Sequence, residues 1–137
     1  MSRDCNVVGP AGEAAVAAEL SAAGFHVFVP VFAQPGVDLI AELDGKLIRV
    51  QVKSSAGDAP NLRFSAWSTR IPTYQGEADW LAFHASHYGI TAFLKPEEVG
   101  AYPSFRYDSP EDARHLTGRM RYAKDYPLDR VIKEMRE

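Results

Sequence analysis

The dipeptide Asp44-Gly45 is the local feature that most constrains the fold of this chain, because it separates two strand-like segments. Residues 36–43 precede it and residues 46–53 follow it, and both segments are rich in apolar and β-branched side chains. Asp-Gly between two such segments is typical of a two-residue hairpin turn in which both central residues have positive φ. The sequence therefore predicts an antiparallel β-hairpin.

The register of this hairpin brings three polar side chains together. If the turn is flanked by residues 43 and 46, Asp38 faces Gln51 with Cβ atoms about 4.5–5.5 Å apart. Lys53 shares the face of Gln51 because side chains alternate along a strand. The opposite face is wholly apolar and is predicted to be core; it consists of Leu39, Ala41, Leu43, Ile48, Val50 and Val52. An acid, an amide and an amine at one end of one face indicate a functional site.

A helix is predicted before the hairpin, and further strands after it. Residues 12–23 are alanine-rich and are followed by Gly24, and Gly9-Pro10 fits a helix entry. Strands are expected at residues 25–29, 62–67, 79–85 and 88–94, coil at 103–110, and a terminal helix at 128–136. This order indicates an α/β (α+β) fold with a mixed β-sheet flanked by helices. A chain of 137 residues is expected to form a single domain, residues 1–137.

Glu13 is the second acid of interest, because it shares a helical stripe with Val16, Ala17 and Leu20. That stripe is apolar, so Glu13 is expected to face the sheet. The structural alternative is a first-turn acid that the helix dipole stabilises by a few tenths to about 1 kcal/mol. An inward carboxylate costs more than that unless it is paired. Lys53 or a divalent cation would supply the missing charge.

These groups together suit metal-assisted phosphodiester hydrolysis. Mg²⁺ prefers oxygen ligands, usually one or two carboxylates with waters and phosphate oxygens. Asp38 would bind the ion directly, and the Gln51 side-chain carbonyl or the Val52 backbone carbonyl would complete the protein ligands. Glu13 would bind the ion or one of its waters. Lys53 would position and polarise the attacking water and offset charge in the transition state.

The same residues resemble the PD-(D/E)XK nuclease superfamily, which has the restriction-endonuclease-like fold. Its pattern is a helix glutamate, an aspartate at a strand start and (D/E)-X-K on the next strand. The matches are Glu13, Pro35-Gly-Val-Asp38 and Gln51-Val-Lys53. The chain is similar to small bacterial PDDEXK proteins related to intron-encoded homing endonucleases. The resemblance covers residues 9–99 as a nuclease-like core and leaves residues 100–137 as a C-terminal extension.

This resemblance implies a metal-dependent DNA endonuclease, homing-endonuclease-like or resolvase-like, that uses Mg²⁺ or Mn²⁺. It implies DNA as the partner, and a homodimer or homotetramer as the active form. Two features depart from the pattern: two residues separate Pro35 from Asp38, and Gln51 replaces the usual acid. Because an amide adds no charge, metal affinity should be lower. A catalytically inactive nuclease-fold module that binds nucleic acid or a protein partner is therefore the alternative, and an unrelated α+β binding protein is a third.

The net charge of −3 argues against a generic nucleic-acid binder, which is usually basic. Basic residues nevertheless cluster between residues 113 and 124, where no acid occurs, although a solvated surface is the structural alternative. Trp67 lies between two arginines, so base stacking is an alternative to core packing. The candidate DNA-binding residues are Ser54, Ser55, Arg63, Trp67, Arg70, Arg114, Arg119, Arg121 and Lys124.

Three neighbours of the predicted site are assigned structural roles. Arg49 shares the face of Asp38 and is expected to pair with Glu42. Tyr74 and Glu77 lie in a loop that borders the site, where the sequence favours a purely structural role.

Composition predicts a cytoplasmic protein. No apolar segment approaches the roughly 20 residues of a membrane span, and no secretory segment begins the sequence. The single cysteine, Cys5, excludes an internal disulfide framework and fits a reducing compartment.

Overall fold

The computed structural model describes residues 5–66, 74–108 and 120–137, which form two sheets and two helices. The elements are α1 (Cys5–Ala22), β1 (His26–Phe28), β2 (Leu39–Leu43), β3 (Lys46–Ser55), β4 (Asn61–Arg63), β5 (Trp80–Ala85), β6 (Ile90–Leu94), β7 (Ser104–Arg106), β8 (Arg121–Tyr122) and α2 (Asp129–Met135). The larger sheet has the order β1-β2-β3-β5-β6, and the smaller has the order β4-β7-β8. In the larger sheet β3 and β5 are parallel and the other neighbours antiparallel, which confirms the predicted mixed sheet.

The Asp44-Gly45 hairpin forms in the predicted register. Asp44 has φ 53° and Gly45 has φ 83°, as a primed two-residue turn requires. Leu43 pairs with Lys46, and the ladder extends back to Leu39 opposite Val50. All six apolar residues predicted for the core face are buried. The register is therefore confirmed by both pairing and burial.

The larger sheet lies between the two helices and the smaller sheet. On one face, Val16 and Leu20 of α1 and Val131 of α2 pack with the buried side chains of the hairpin. On the other face, side chains of β5 such as Phe83 pack with Phe105 of β7 and other aromatic residues. Both faces of β5 are consequently covered, and all six of its residues are buried, as the sequence predicts.

Two local predictions differ from the structure. Helix α1 begins at Cys5 rather than near residue 12, with Pro10 inside it, because proline removes one backbone donor without ending this helix. Strand β4 is shorter than expected and pairs with β7, which lies in the segment predicted as coil. A three-residue strand is too short to show a clear alternating pattern in the sequence, and its pairing partner is distant in the chain.

Helix α1 approaches β3 closely at Gly12. A Cβ atom built at Gly12 would overlap the Ser54 hydroxyl and lie 2.6 Å from the Ser54 Cβ. The absence of a side chain at residue 12 therefore allows the helix to lie directly on β3, one residue before Glu13. None of the described helices has both the length and the hydropathy needed to cross a bilayer.

Gly12→Ala is predicted to destabilise the protein by about 1–3 kcal/mol, because the added methyl group must displace β3 or α1. Gly9→Ala is the matched control in the same helix, since a Cβ at Gly9 meets nothing within 4 Å. That control should change the stability by less than about 1 kcal/mol, because the higher helix propensity of alanine is offset by its restriction before Pro10. Urea denaturation followed by circular dichroism measures both. Equal stability of the two variants would contradict the close approach.

Candidate active site

Asp38 lies immediately before β2 and is bound to β3 through both its backbone and its side chain. Its N–H donates to the Val50 carbonyl at 2.9 Å. Its Oδ2 accepts a hydrogen bond from the Val52 N–H at 2.8 Å. The carboxylate thus occupies the place of a strand acceptor at the end of the ladder, where the backbone fixes its orientation.

Glu13 lies beside Asp38 on the helix side, close enough for each carboxyl group to affect the pKa of the other. Burial raises the pKa of Glu13, and the charge of Asp38 and the hydrogen bond between them raise it further. Burial also raises the pKa of Asp38, although the Val52 N–H, the Lys53 charge and the Glu13 hydrogen bond oppose that rise. Two acids in contact therefore favour binding a proton, which marks a position short of positive charge.

Lys53 and Gln51 complete the set of four predicted residues. The Lys53 charge acts on the Asp38 carboxylate, so these two groups and Glu13 are brought together. Gln51 is half-buried on β3, two residues before Lys53, and pairs with Leu81 in the sheet. The pairing of β2 ends one residue short of Asp38. The predicted Cβ separation between Asp38 and Gln51 therefore stays a prediction.

Lys53 contacts Tyr74, which is the first described residue after residue 66. The Lys53 Nζ donates to the Tyr74 hydroxyl at 2.6 Å and lies 4.7 Å from the centre of that ring. Tyr74 is buried and has φ 60°, a conformation that non-glycine residues rarely adopt. The sequence placed Tyr74 beside the site but favoured a structural role, since spacing alone does not reveal contact between residues 21 apart.

The loop that contains Tyr74 is attached to the hairpin at two further points. Glu77 is buried, and a Cβ at Gly36 (φ 72°) would collide with its side chain, so the two segments are in close contact. Arg49 pairs with Asp79 at 3.0 Å, so the expected pairing with Glu42 is wrong. Glu42 instead accepts a hydrogen bond from the turn N–H of residue 45 at 3.0 Å. Arg49 and Asp79 also exchange backbone contacts that fix the start of β5.

The two serines after Lys53 have different environments. The Ser54 Oγ is buried under Gly12 and has no hydrogen-bond partner among the described residues. The Ser55 Oγ accepts a hydrogen bond from the Gly57 N–H at 3.2 Å. The Ser54 hydroxyl is enclosed by the helix and is therefore not accessible to DNA.

The described basic candidates lie on the smaller sheet and after it. Arg63 is exposed, with its guanidinium 4.9 Å from the Tyr102 ring. Arg121 donates to the Glu98 carbonyl at 2.7 Å, and Lys124 is exposed. The remaining candidates lie outside the described residues: Trp67, Arg70, Arg114 and Arg119.

The donor set suits a hard cation. Glu13 and Asp38 provide carboxylate oxygens, and only Oδ2 of Asp38 is used by the Val52 N–H. Burial raises the pKa of both acids, and the charge of Asp38 raises that of Glu13 further, so a bound cation would favour the charged form of both groups. No group of three or more His, Cys, Asp and Glu side chains suited to a metal ion occurs within residues 5–66, 74–108 and 120–137. Additional oxygen ligands would have to be an amide, backbone carbonyls or water.

Glu13→Gln is predicted to stabilise the metal-free protein at pH 7–8 by about 0.5–2 kcal/mol, because it removes a carboxylate repelled by Asp38. A pKa raised on folding favours the folded state below the unfolded pKa, and that contribution is lost as pH rises through the folded pKa. The gain should therefore shrink as pH falls through the raised pKa of Glu13 and be smallest below pH 4.5, the ordinary pKa of a glutamate. Thermal denaturation in chelator across this pH range measures it. The exposed Glu97→Gln is the control, and an equal shift there would contradict the assignment.

Two solved structures are similar to this chain. The solved structure of a bacterial homing endonuclease, I-Ssp6803I, superposes with a TM-score of 0.76 at 16% identity, covering 98% of this chain and 94% of that one. This likeness shows a shared restriction-endonuclease-like fold. Hjc, a Holliday junction resolvase from Archaeoglobus fulgidus, gives a TM-score of 0.48 at 18% identity, covering 72% of this chain and 83% of that one. No curated protein sequence matches the chain significantly.

A family model described as PD-(D/E)XK endonuclease matches residues 4–79, which include Glu13, Asp38, Gln51 and Lys53. The match extends over more than half of the sequence. The chain belongs to the PD-(D/E)XK endonuclease family.

Proposed function

We propose that this protein is a metal-dependent endonuclease that hydrolyses phosphodiester bonds in DNA, in the manner of a homing endonuclease or a junction resolvase. The observation that supports this most is the contact between the Glu13 and Asp38 carboxyl groups, both with raised pKa, beside the Lys53 ammonium. Structural ion pairs normally place opposite charges together. Two acids in contact next to one lysine instead suit a divalent cation and a phosphate.

Mg²⁺ or Mn²⁺ is the expected cofactor. Asp38 would bind the ion, Gln51 and Val52 would contribute carbonyl oxygens, and Glu13 would bind the ion or one of its waters. When bound, such an ion polarises the phosphate and lowers the pKa of a coordinated water. The chain itself supplies the orientation, because the Val52 N–H fixes one oxygen of Asp38 and directs the other away from the ladder.

Lys53 would act on the nucleophile and on developing charge. Its ammonium group has three N–H donors, and one of them is bonded to Tyr74. The remaining donors can orient the attacking water and stabilise negative charge on the phosphate oxygens in the transition state. Lys53 pairs with Phe83 of β5, and the preceding Val52 N–H is bonded to Asp38, so the backbone at Lys53 is held from both sides.

The number of active sites per chain bears on how the protein assembles on DNA. One small chain offers one site, and cutting both strands of a duplex is simplest for a homodimer or homotetramer. DNA contacts are assigned to Ser55, Arg63, Arg70, Arg114, Arg119, Arg121 and Lys124, with Trp67 as a base-stacking residue. We assign residues 1–137 to one domain acting in the cytoplasm.

Asp38→Asn and Lys53→Ala are each predicted to reduce plasmid nicking by about 10²–10³-fold. Asp38→Asn removes the negative charge that would bind the metal ion, and Lys53→Ala removes the positive charge beside the reacting phosphate. The assay is purified protein with supercoiled or junction DNA in Mg²⁺ or Mn²⁺, and chelator should abolish nicking. Controls are Asp125→Asn and Lys133→Ala, which alter exposed residues of the same types. Nicking that survives in both site variants would contradict the proposal.

Gln51 favours a second candidate function, an inactive nuclease-fold module that binds nucleic acid or a protein partner. Gln51→Glu is predicted to increase Mg²⁺ affinity by roughly tenfold, because it adds a charged oxygen ligand. Isothermal titration calorimetry of the wild type, Gln51→Glu and Asp38→Asn measures this. Wild-type protein that neither nicks DNA nor shows Asp38-dependent ion binding would establish the inactive module instead.

A further inference from the structure

Tyr74 contacts the one lysine that the proposed reaction requires. The distance from the Lys53 Nζ to the Tyr74 hydroxyl is 2.6 Å, whereas the distance to the ring centre is 4.7 Å. The ammonium group therefore lies near the hydroxyl end of the ring and not above its middle. The main contact is a charge-assisted hydrogen bond rather than a cation–π interaction.

The backbone conformation of Tyr74 is unusual for a residue whose only role is packing. Tyr74 has φ 60°, in the left-handed region that disfavours any residue with a Cβ. Such conformations persist where neighbouring contacts determine them and are common at functional sites. Here the Tyr74 carbonyl accepts hydrogen bonds from the N–H groups of Glu77 and Ala78, both at 3.0 Å.

The rest of this loop is fixed to the hairpin that carries Lys53 and to the segment before it that carries Asp38. The Arg49 guanidinium donates to the Gly76 carbonyl at 3.2 Å and to the Asp79 carboxylate at 3.0 Å. Glu77 lies against Gly36, two residues before Asp38. The Tyr74 hydroxyl is therefore placed relative to both β3 and the segment that leads into Asp38.

We propose that Tyr74 is a positioning residue for Lys53. Its hydroxyl oxygen accepts one ammonium hydrogen and thereby directs the other two toward the water and the phosphate. This inference rests on the proposed nuclease function for its role in rate, while the contact with Lys53 can be tested without any cleavage.

The first test measures the chemical reactivity of Lys53. Wild-type protein and Tyr74→Phe are treated with an N-hydroxysuccinimide acetate ester, and acetylation of Lys53 is quantified by mass spectrometry against the exposed Lys124. The Lys53/Lys124 ratio should rise several-fold in Tyr74→Phe, which keeps the ring and loses the hydroxyl. Tyr88→Phe is the matched control, because it also removes one hydroxyl with one hydrogen bond, to the Asp58 carbonyl. An unchanged ratio in Tyr74→Phe overturns the proposal.

The second test separates positioning from folding. Tyr74→Phe should lower kcat for DNA cleavage about tenfold, with KM and the thermal midpoint close to wild type, and Tyr88→Phe should leave kcat unchanged. Tyr74→Leu should lower kcat to a similar extent, because the hydroxyl is the active group. Unchanged kcat in Tyr74→Phe, or a loss only in proportion to stability, overturns the proposal. If wild-type protein cuts no DNA, the proposed function fails, and the acetylation ratio alone then decides whether Tyr74 holds Lys53.

Discussion

The hydrogen bond from the Val52 N–H to the Asp38 carboxylate joins the pairing of the hairpin to the geometry of the site. At two places in β3 a side chain replaces a strand acceptor, because the Arg49 N–H donates to Asp79 and the Val52 N–H donates to Asp38. The position of the acid therefore depends on the same register that buries Val50 and Val52. A shift of one residue would expose the core face and move Asp38 away from β3 at the same time. The register of the hairpin therefore determines both the burial of the core face and the geometry of the site.

The same site carries an energetic conflict that the fold tolerates. Glu13 and Asp38 meet in a partly buried position where both carboxyl groups have raised pKa values. Contacts between two carboxyl groups lower stability unless a bound ligand offsets the repulsion, and such losses of stability are common at functional sites. The close approach of α1 at Gly12 maintains this contact, because the helix lies against β3 one residue before Glu13. A helix held further away would relieve the repulsion and separate the acids.

A second segment, residues 74–79, supports the site from the other side of β3. It reaches Lys53 through Tyr74, the Asp38 segment through Glu77 and Arg49 of β3 through Asp79. These contacts connect the start of β5 to the hairpin, so Lys53 and Asp38 are fixed within one framework. Orientation of reacting groups depends on this kind of support, because small displacements cost large factors in rate.

The sequence alone determined the hairpin, its register, the buried face and the helix acid, because each follows from local rules: turn chemistry at Asp44-Gly45, alternation along strands and helical spacing. It also identified the family pattern at Glu13, Asp38 and Lys53. Only the tertiary structure decided that Arg49 pairs with Asp79, that β4 joins β7, and that Tyr74 bonds to Lys53. These contacts join residues 21 or more apart. No local periodicity encodes them, because chain folding rather than spacing brings such residues together.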